Sequence, residues 1–169
     1  MSDKDTFYPL AVGNEWTYKT KDGKLFKNMV TAVDGDTYSM QNTEMPRTQR
    51  VRKEGSTFLA DNFETDNFQV FLRDDLQKGD SWEINYRAGK MISMLFMTVL
   101  ETGASIEVEG KTYDDVVIIK GDLKMRQEDN LVDTNFMVQY YYARGVGLVL
   151  TTTSYVDSMA LVDYELKDA

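Results

Sequence analysis

The chain has 169 residues, 42% of them apolar and 28% charged, which suits one globular domain of ordinary size rather than a disordered chain. A formal net charge of −9 sets it against phosphate backbones and anionic bilayers, so nucleic acid is excluded as an expected partner. The sequence holds neither Cys nor His, which removes thiol nucleophiles, disulfides, His-based triads and most transition-metal sites; carboxylate, Lys or Tyr chemistry remains, or none, and no cofactor is implied.

Residues 1–6 are polar and read as a disordered or expression-derived start, without the apolar run of an export signal. A leader removed beforehand would leave the same trace. A single domain is expected over 7–169. No run is long and apolar enough for a membrane-spanning helix; the longest, Met91 to Leu100, is interrupted by Ser93 and Thr98.

From Gly13-Asn14 onward, turn signals recur at Asp22-Gly23, Asp34-Gly35-Asp36, Gly55-Ser56, Gly79-Asp80, Gly89-Lys90, Thr102-Gly103, Glu109-Gly110, Gly121-Asp122 and Asp129-Asn130. Between them lie short segments rich in β-branched and aromatic residues, the pattern of antiparallel hairpins. The two prolines, Pro9 and Pro46, fall outside the strong strand patterns. Arg47, Arg50, Arg52 and Lys53 form the one basic run. Alternation puts Arg50 and Arg52 on one face, as in a charged edge strand or, alternatively, a phosphate or carboxylate site.

In Ser81–Arg87, Trp82, Ile84 and Tyr86 alternate with polar residues. Met91-Ile92-Ser93-Met94-Leu95-Phe96-Met97 follows. Its Met91, Met94, Phe96 and Met97 are candidates to line a cavity for an apolar ligand, against the plainer reading of a buried central strand. Val116 to Ile119 is apolar on both faces, as in a strand covered on both sides. Phe136, Val138, Tyr140 and Tyr142 share a face, so two of Tyr140, Tyr141 and Tyr142 belong to the core and one to the surface. Gly145 and Gly147 make the next bend, where a Cβ would obstruct the turn. The acidic clusters at Asp34/Asp36, Asp74/Asp75, Asp114/Asp115 and Glu128/Asp129/Asp133 lack the third repeat and distant Glu of a calcium loop, and read as solvated turns.

No sustained helical periodicity appears. The expected fold is all-β: an antiparallel meander of about ten strands, curled into a barrel or half-open barrel, with a two-sheet sandwich as the alternative. One internal echo stands out. Leu10, Gly13, Asn14 and Trp16 match Leu76, Gly79, Asp80 and Trp82. It marks either a recurrent way to start a strand or a duplication with halves 7–75 and 76–169.

The opening Phe7-Tyr-Pro-Leu-Ala-Val-Gly13-Asn14-Glu-Trp16-Thr-Tyr18, the middle Ile106–Val116 phrase and the closing Tyr140-Tyr-Tyr-Ala-Arg-Gly145-Val-Gly147-Leu-Val149 resemble, in order, a group of bacterial exported proteins and lipoproteins. The resemblance implies an all-β domain located in the periplasm, on the outer membrane as a lipoprotein, or outside the cell. It implies no function for named residues. Without it, a soluble cytoplasmic protein is the default. Two functions are expected: a non-catalytic envelope protein binding an apolar small molecule, lipid or exported polypeptide, or a structural or protein-interaction module. An enzyme ranks behind both.

Overall fold

Each short alternating segment becomes a strand, and most are ended by a residue able to take left-handed backbone. The computed structural model describes residues 5–155 and 157–167. The strands are β1 (Glu15–Thr20), β2 (Leu25–Asp34), β3 (Thr37–Asn42), β4 (Met45–Glu54), β5 (Thr57–Ala60), β6 (Gln69–Arg73), β7 (Ser81–Ala88), β8 (Met91–Val108), β9 (Lys111–Gln127), β10 (Asn130–Ala143), β11 (Gly147–Thr153) and β12 (Ser158–Glu165). All lie in one sheet of order β6-β5-β4-β3-β2-β1-β12-β11-β10-β9-β8-β7. Every hairpin partner is antiparallel, and β1 closes on β12, Trp16 opposite Tyr164. Only β6 and β7, consecutive in sequence, do not pair. The fold is therefore a nearly closed meander barrel with one unsealed seam, not a two-sheet sandwich. Among the described residues no helix is long and apolar enough to cross a membrane.

Several local expectations are corrected. The described residues form twelve strands rather than about ten, because β5 and β6 are too short to show alternation. Thr102-Gly103 is not a turn: β8 runs through it, Gly103 taking φ +65° among register shifts between Val99 and Ile106. Gly121-Asp122 is not a turn either. Gly121 lies inside β9, where a Cβ would sit 3.0–3.1 Å from the side chains of Leu95, Met97 and Val138. The basic run is not at a sheet edge, since β4 pairs with both β3 and β5. Pro46 is the second residue of β4, beside the register shift between Met40 and Asn42 that absorbs its missing N–H.

Inward residues come from the expected alternation: Trp16 and Tyr18 on β1, Ile84 on β7, Leu95, Met97 and Val99 on β8, Val138 and Tyr142 on β10. Val116, Val117 and Ile119 are fully buried, in keeping with a strand covered on both sides. Beyond Val99 the β8–β9 hairpin folds back across the wall. Its tip binds Lys19 through Glu109 (2.8 Å) and the Tyr164 hydroxyl through Lys111 (3.1 Å), while Val108 and Tyr113 are buried.

One end of the barrel is stoppered by the segment before β1. Thr6, grouped with the disordered start by its polarity, is buried: its hydroxyl and the Phe7 N–H both donate to Asp74 Oδ1 (3.0 and 2.9 Å), and Gly145 N–H donates to its carbonyl (2.7 Å). Residues 1–4 lie outside the described residues. Arg144 packs its guanidinium 4.1 Å over the Phe7 ring and holds the Asp5 carbonyl. Tyr8 then enters the interior, in contact with Trp16, Phe58, Phe71 and Tyr142 at ring separations of 5.6–6.3 Å.

The two Trp turns repeat in three dimensions. Gly13 N–H donates to Val30 O (2.9 Å), Asn14 N–H to Ala11 O (3.0 Å) and Val30 N–H to Asn14 O (2.9 Å). In the same order, Gly79 donates to Val99 (2.9 Å), Asp80 to Gln77 (3.0 Å) and Val99 to Asp80 (2.8 Å). Gly13 and Gly79 hold φ of +97° and +93°, which a Cβ would oppose. β1 and β7 thus each begin a six-strand meander.

Candidate binding cavity

An eight-stranded barrel is just filled by its own side chains, and diameter grows with strand number. Twelve strands leave space, which Tyr8 and the inward aromatics fill only in part. A cavity of about 220 Å³ remains, and a further 40 Å³ pocket adjoins it at Asn62, Phe71, Tyr140 and Tyr142. An apolar cavity of about 150 Å³ takes benzene, whereas drug-sized sites start at roughly 300 Å³. The space fits a single ring or a short alkyl chain. Asn42, Met45 and Asn62 mark its mouth, at the end opposite the stopper; Met45 is 42% exposed.

The wall is apolar: Phe26, Met40, Val51, Phe71, Leu148 and Met159 come from six strands. Its polar groups are amides and phenols, with no charged side chain among the described residues that line it. Tyr8 forms the floor, its hydroxyl 3.4 Å from Met40 Sδ. Burial drives its phenol far above the ordinary range, although the Asn28 side chain opposes the shift by hydrogen bonding. Tyr18 donates to Leu148 O (2.9 Å) and Trp16 to Val146 O (2.7 Å), bracing β1 against β11 and the turn before it. Tyr140 is pushed up to about 12, chiefly by burial and then by Tyr86; Tyr142 is raised well above its usual value by burial. All four phenols remain neutral donors at physiological pH.

Of the four methionine-segment candidates, Met97 lines the smaller pocket. Met94 and Phe96 alternate onto the outer face, opposite Lys124 and Asp122, with Lys124 Nζ 5.3 Å from the Phe96 ring. Met91 begins β8 at the mouth end, half-buried. Tyr140 and Tyr142 face inward, while Tyr141 bonds Gln139 (2.7 Å) and is half-buried against the core rather than at the surface. Gly147 is required by close approach, since a Cβ there would meet the Trp16 indole nitrogen at 3.0 Å.

The basic run answers carboxylates of the same chain. Arg50 holds Asp61 (2.9 Å) and Asp66, Arg47 donates to the Asp61 carbonyl (2.8 Å), and Arg50 and Arg52 stack on Phe68 at 5.1 and 4.2 Å. Burial alone would raise the Asp61 carboxyl, but the Arg50 backbone N–H and guanidinium, with the Asp66 N–H, outweigh it and hold it below the usual range. Asp74, read from the sequence as part of a solvated turn, is instead the buried plug anchor, because its partners Thr6 and Phe7 lie 68 and 67 residues away. Asp61 takes its main partner, Arg50, from eleven residues away.

The seam is stitched at its mouth end by side chains. Asn67 and Gln69 donate to Asn85 O (3.3 and 3.0 Å), Arg87 N–H donates to Glu64 (3.1 Å), and Phe63 stacks on Tyr86 (5.1 Å). At its other end a surface groove of about 570 Å³ runs along β6 and the start of β7.

Fold and cavity together define the class: a twelve-stranded meander cup, stoppered at one end and interrupted by one seam. Two crystal structures share this fold over nearly their whole length. A predicted lipoprotein of Parabacteroides distasonis ATCC 8503 has a TM-score of 0.61 and 15% identity, covering 95% of this chain and 98% of that one. A predicted exported protein with a YmcC-like fold from Bacteroides fragilis NCTC 9343 has a TM-score of 0.59 and 12% identity, covering 95% and 99%. No protein-family model matches the sequence, and neither does any curated protein.

Proposed function

We propose that this chain is a non-catalytic protein of the bacterial cell envelope that binds a small uncharged, largely apolar molecule, or the end of an alkyl chain, inside its cup. The observation that carries the reading is the cavity: stoppered by Tyr8 at one end, open at Asn42 and Met45 at the other, and lined without charge. Neutral phenols and amides can hydrogen-bond a hydroxyl or carbonyl, whereas a buried carboxylate would find no countercharge. The exported and lipoprotein structural neighbours, with the resemblance of the Tyr-Pro-Leu and Gly-Val-Gly phrases, support the envelope location.

Native mass spectrometry of freshly purified protein beside its denatured mass tests for a resident molecule. Titration with 1-octanol and octanoate tests the chemistry: the alcohol should bind, with the carboxylate at least about tenfold weaker. Ala60→Trp, which fills the cavity from β5, should abolish binding while leaving the circular dichroism unchanged. Equal binding of alcohol and carboxylate, or full binding by the folded Ala60→Trp variant, would refute the reading. A protein-interaction role is the second reading, and the unpaired seam favours it.

A further inference from the structure

β1 and β7 begin with the same turn and the same tryptophan, but only β1 finds a strand on its far side. There β12 completes the ladder, and the Trp16 indole donates to the Val146 carbonyl at 2.7 Å. On β7 the Trp82 indole nitrogen is buried without a hydrogen-bond partner, as is Asn85 Oδ1. The backbone repeats the contrast. Asn85 O and Arg87 N–H point into the seam and are satisfied by side chains from 64–69. By the two-residue period of a strand, Ser81 and Glu83 present their N–H and C=O groups the same way, and no side chain among the described residues reaches them. Ser81 and Trp82 line the 570 Å³ groove with Thr57, Val70, Arg73 and Leu76, and Glu83 comes next along the same edge.

A row of alternating donors and acceptors spaced as a β-strand is matched by extended backbone, the pairing by which peptides add to open sheet edges. The stitched half limits the length: Ser81 to Asn85 spans about 14 Å, or four to five residues. Edge-to-edge pairing of two copies is disfavoured by charge, since antiparallel pairing over Ser81–Asn85 would set Glu83 directly opposite its own copy. We infer that the open half of the seam takes a short extended segment of a partner polypeptide, paired through its backbone to β7, with one of its carbonyls accepting the Trp82 indole N–H. This site is separate from the interior cavity.

The probe is a synthetic peptide of residues 158–166, whose sequence pairs with the equivalent edge of β1. The chain has two tryptophans, so their indole N–H resonances report the two junctions separately. Adding peptide to the full, isotope-labelled chain should shift the Trp82 indole resonance and leave that of Trp16 in place. It should also slow exchange of the Ser81 or Glu83 amide at least about tenfold. A peptide with proline at the Asp163 position, which pairs with Thr17 in the β1 ladder, should do neither, and Trp82→Phe should bind about fivefold more weakly. The inference is overturned by any of four results: no Trp82 shift at millimolar peptide, a shift of Trp16, unchanged affinity in Trp82→Phe, or Ser81 and Glu83 amides already protected in the free protein. None of these readouts depends on the cavity, so this test and the octanol titration fail independently.

Discussion

Asp61 shows how single residues hold the mouth end. Its carboxylate is buried, its folded-state pKa is depressed, and its stabilisation is therefore complete above the unfolded carboxylate range and lost as pH falls through the lower folded value. Acid unfolding followed by circular dichroism should begin below about pH 4, and Asp61→Asn should flatten that limb. Asp61→Ala should cost about 2–3 kcal/mol in denaturant unfolding, below the value for a fully buried pair because Arg50 keeps Asp66 and is partly exposed. The phenols act at the opposite extreme of pH. Tyr8, Tyr18, Tyr140 and Tyr142 have raised folded-state values, so the stability they confer is present below about pH 10 and lost as pH rises through those values. Spectrophotometric titration should show the exposed tyrosines ionising first, and these four ionising only together with alkaline unfolding. Gly147→Ala pushes a Cβ against the Trp16 indole at a φ of +119°, and should destabilise by about 2 kcal/mol or more.

Among elements, the β8–β9 hairpin poses a question that magnitudes decide. Its fold-back is marked by the Lys19–Glu109 ion pair, whose side chains are more than a third exposed. Exposed pairs contribute about 0–1 kcal/mol, whereas emptying a buried aromatic site costs about 3–5 kcal/mol. Lys19→Ala should therefore shift the denaturation midpoint little, and Tyr113→Ala should cost about 3 kcal/mol, with a change in exchange rates confined to 100–116. Element by element, the sequence was legible where one face alternated: β7, β10 and the doubly buried 116–119 segment stand as the pattern implied. It misled where glycine served packing or a bulge rather than a turn, as at Gly121 and Gly103. It was silent on β5 and β6, four and five residues long, because so short a run barely samples a period of two. The cavity was legible only in kind. Aromatic and methionine content implied an apolar interior, but whether Met97 or Met94 faces it depends on register across the hairpin, which no local pattern contains.

For the whole molecule, the decisive number is twelve strands, too many for side chains alone to fill. Part of the excess volume is occupied by the chain's own start, so the stopper is as much core as the wall. Removing residues 5–8, or replacing Asp74 by Ala, should loosen one end of the cup without unpairing β1 from β12. Amide exchange would then rise first at Phe7, Gly145 and the flanking turn. The seam should be the least protected part of the wall in the intact protein, with β6 exchanging ahead of every strand joined on both sides.

The stopper also gives the molecule an orientation. Asp5 is held by Arg144 beside the β10–β11 turn, at the closed end, and Lys167 is tied there as well through Asn14. The first and last described residues thus both lie at the base. Anything that moors this domain by its first residues would hold it like a goblet by its stem, the brim at Asn42 and Met45 turned outward to meet whatever diffuses past.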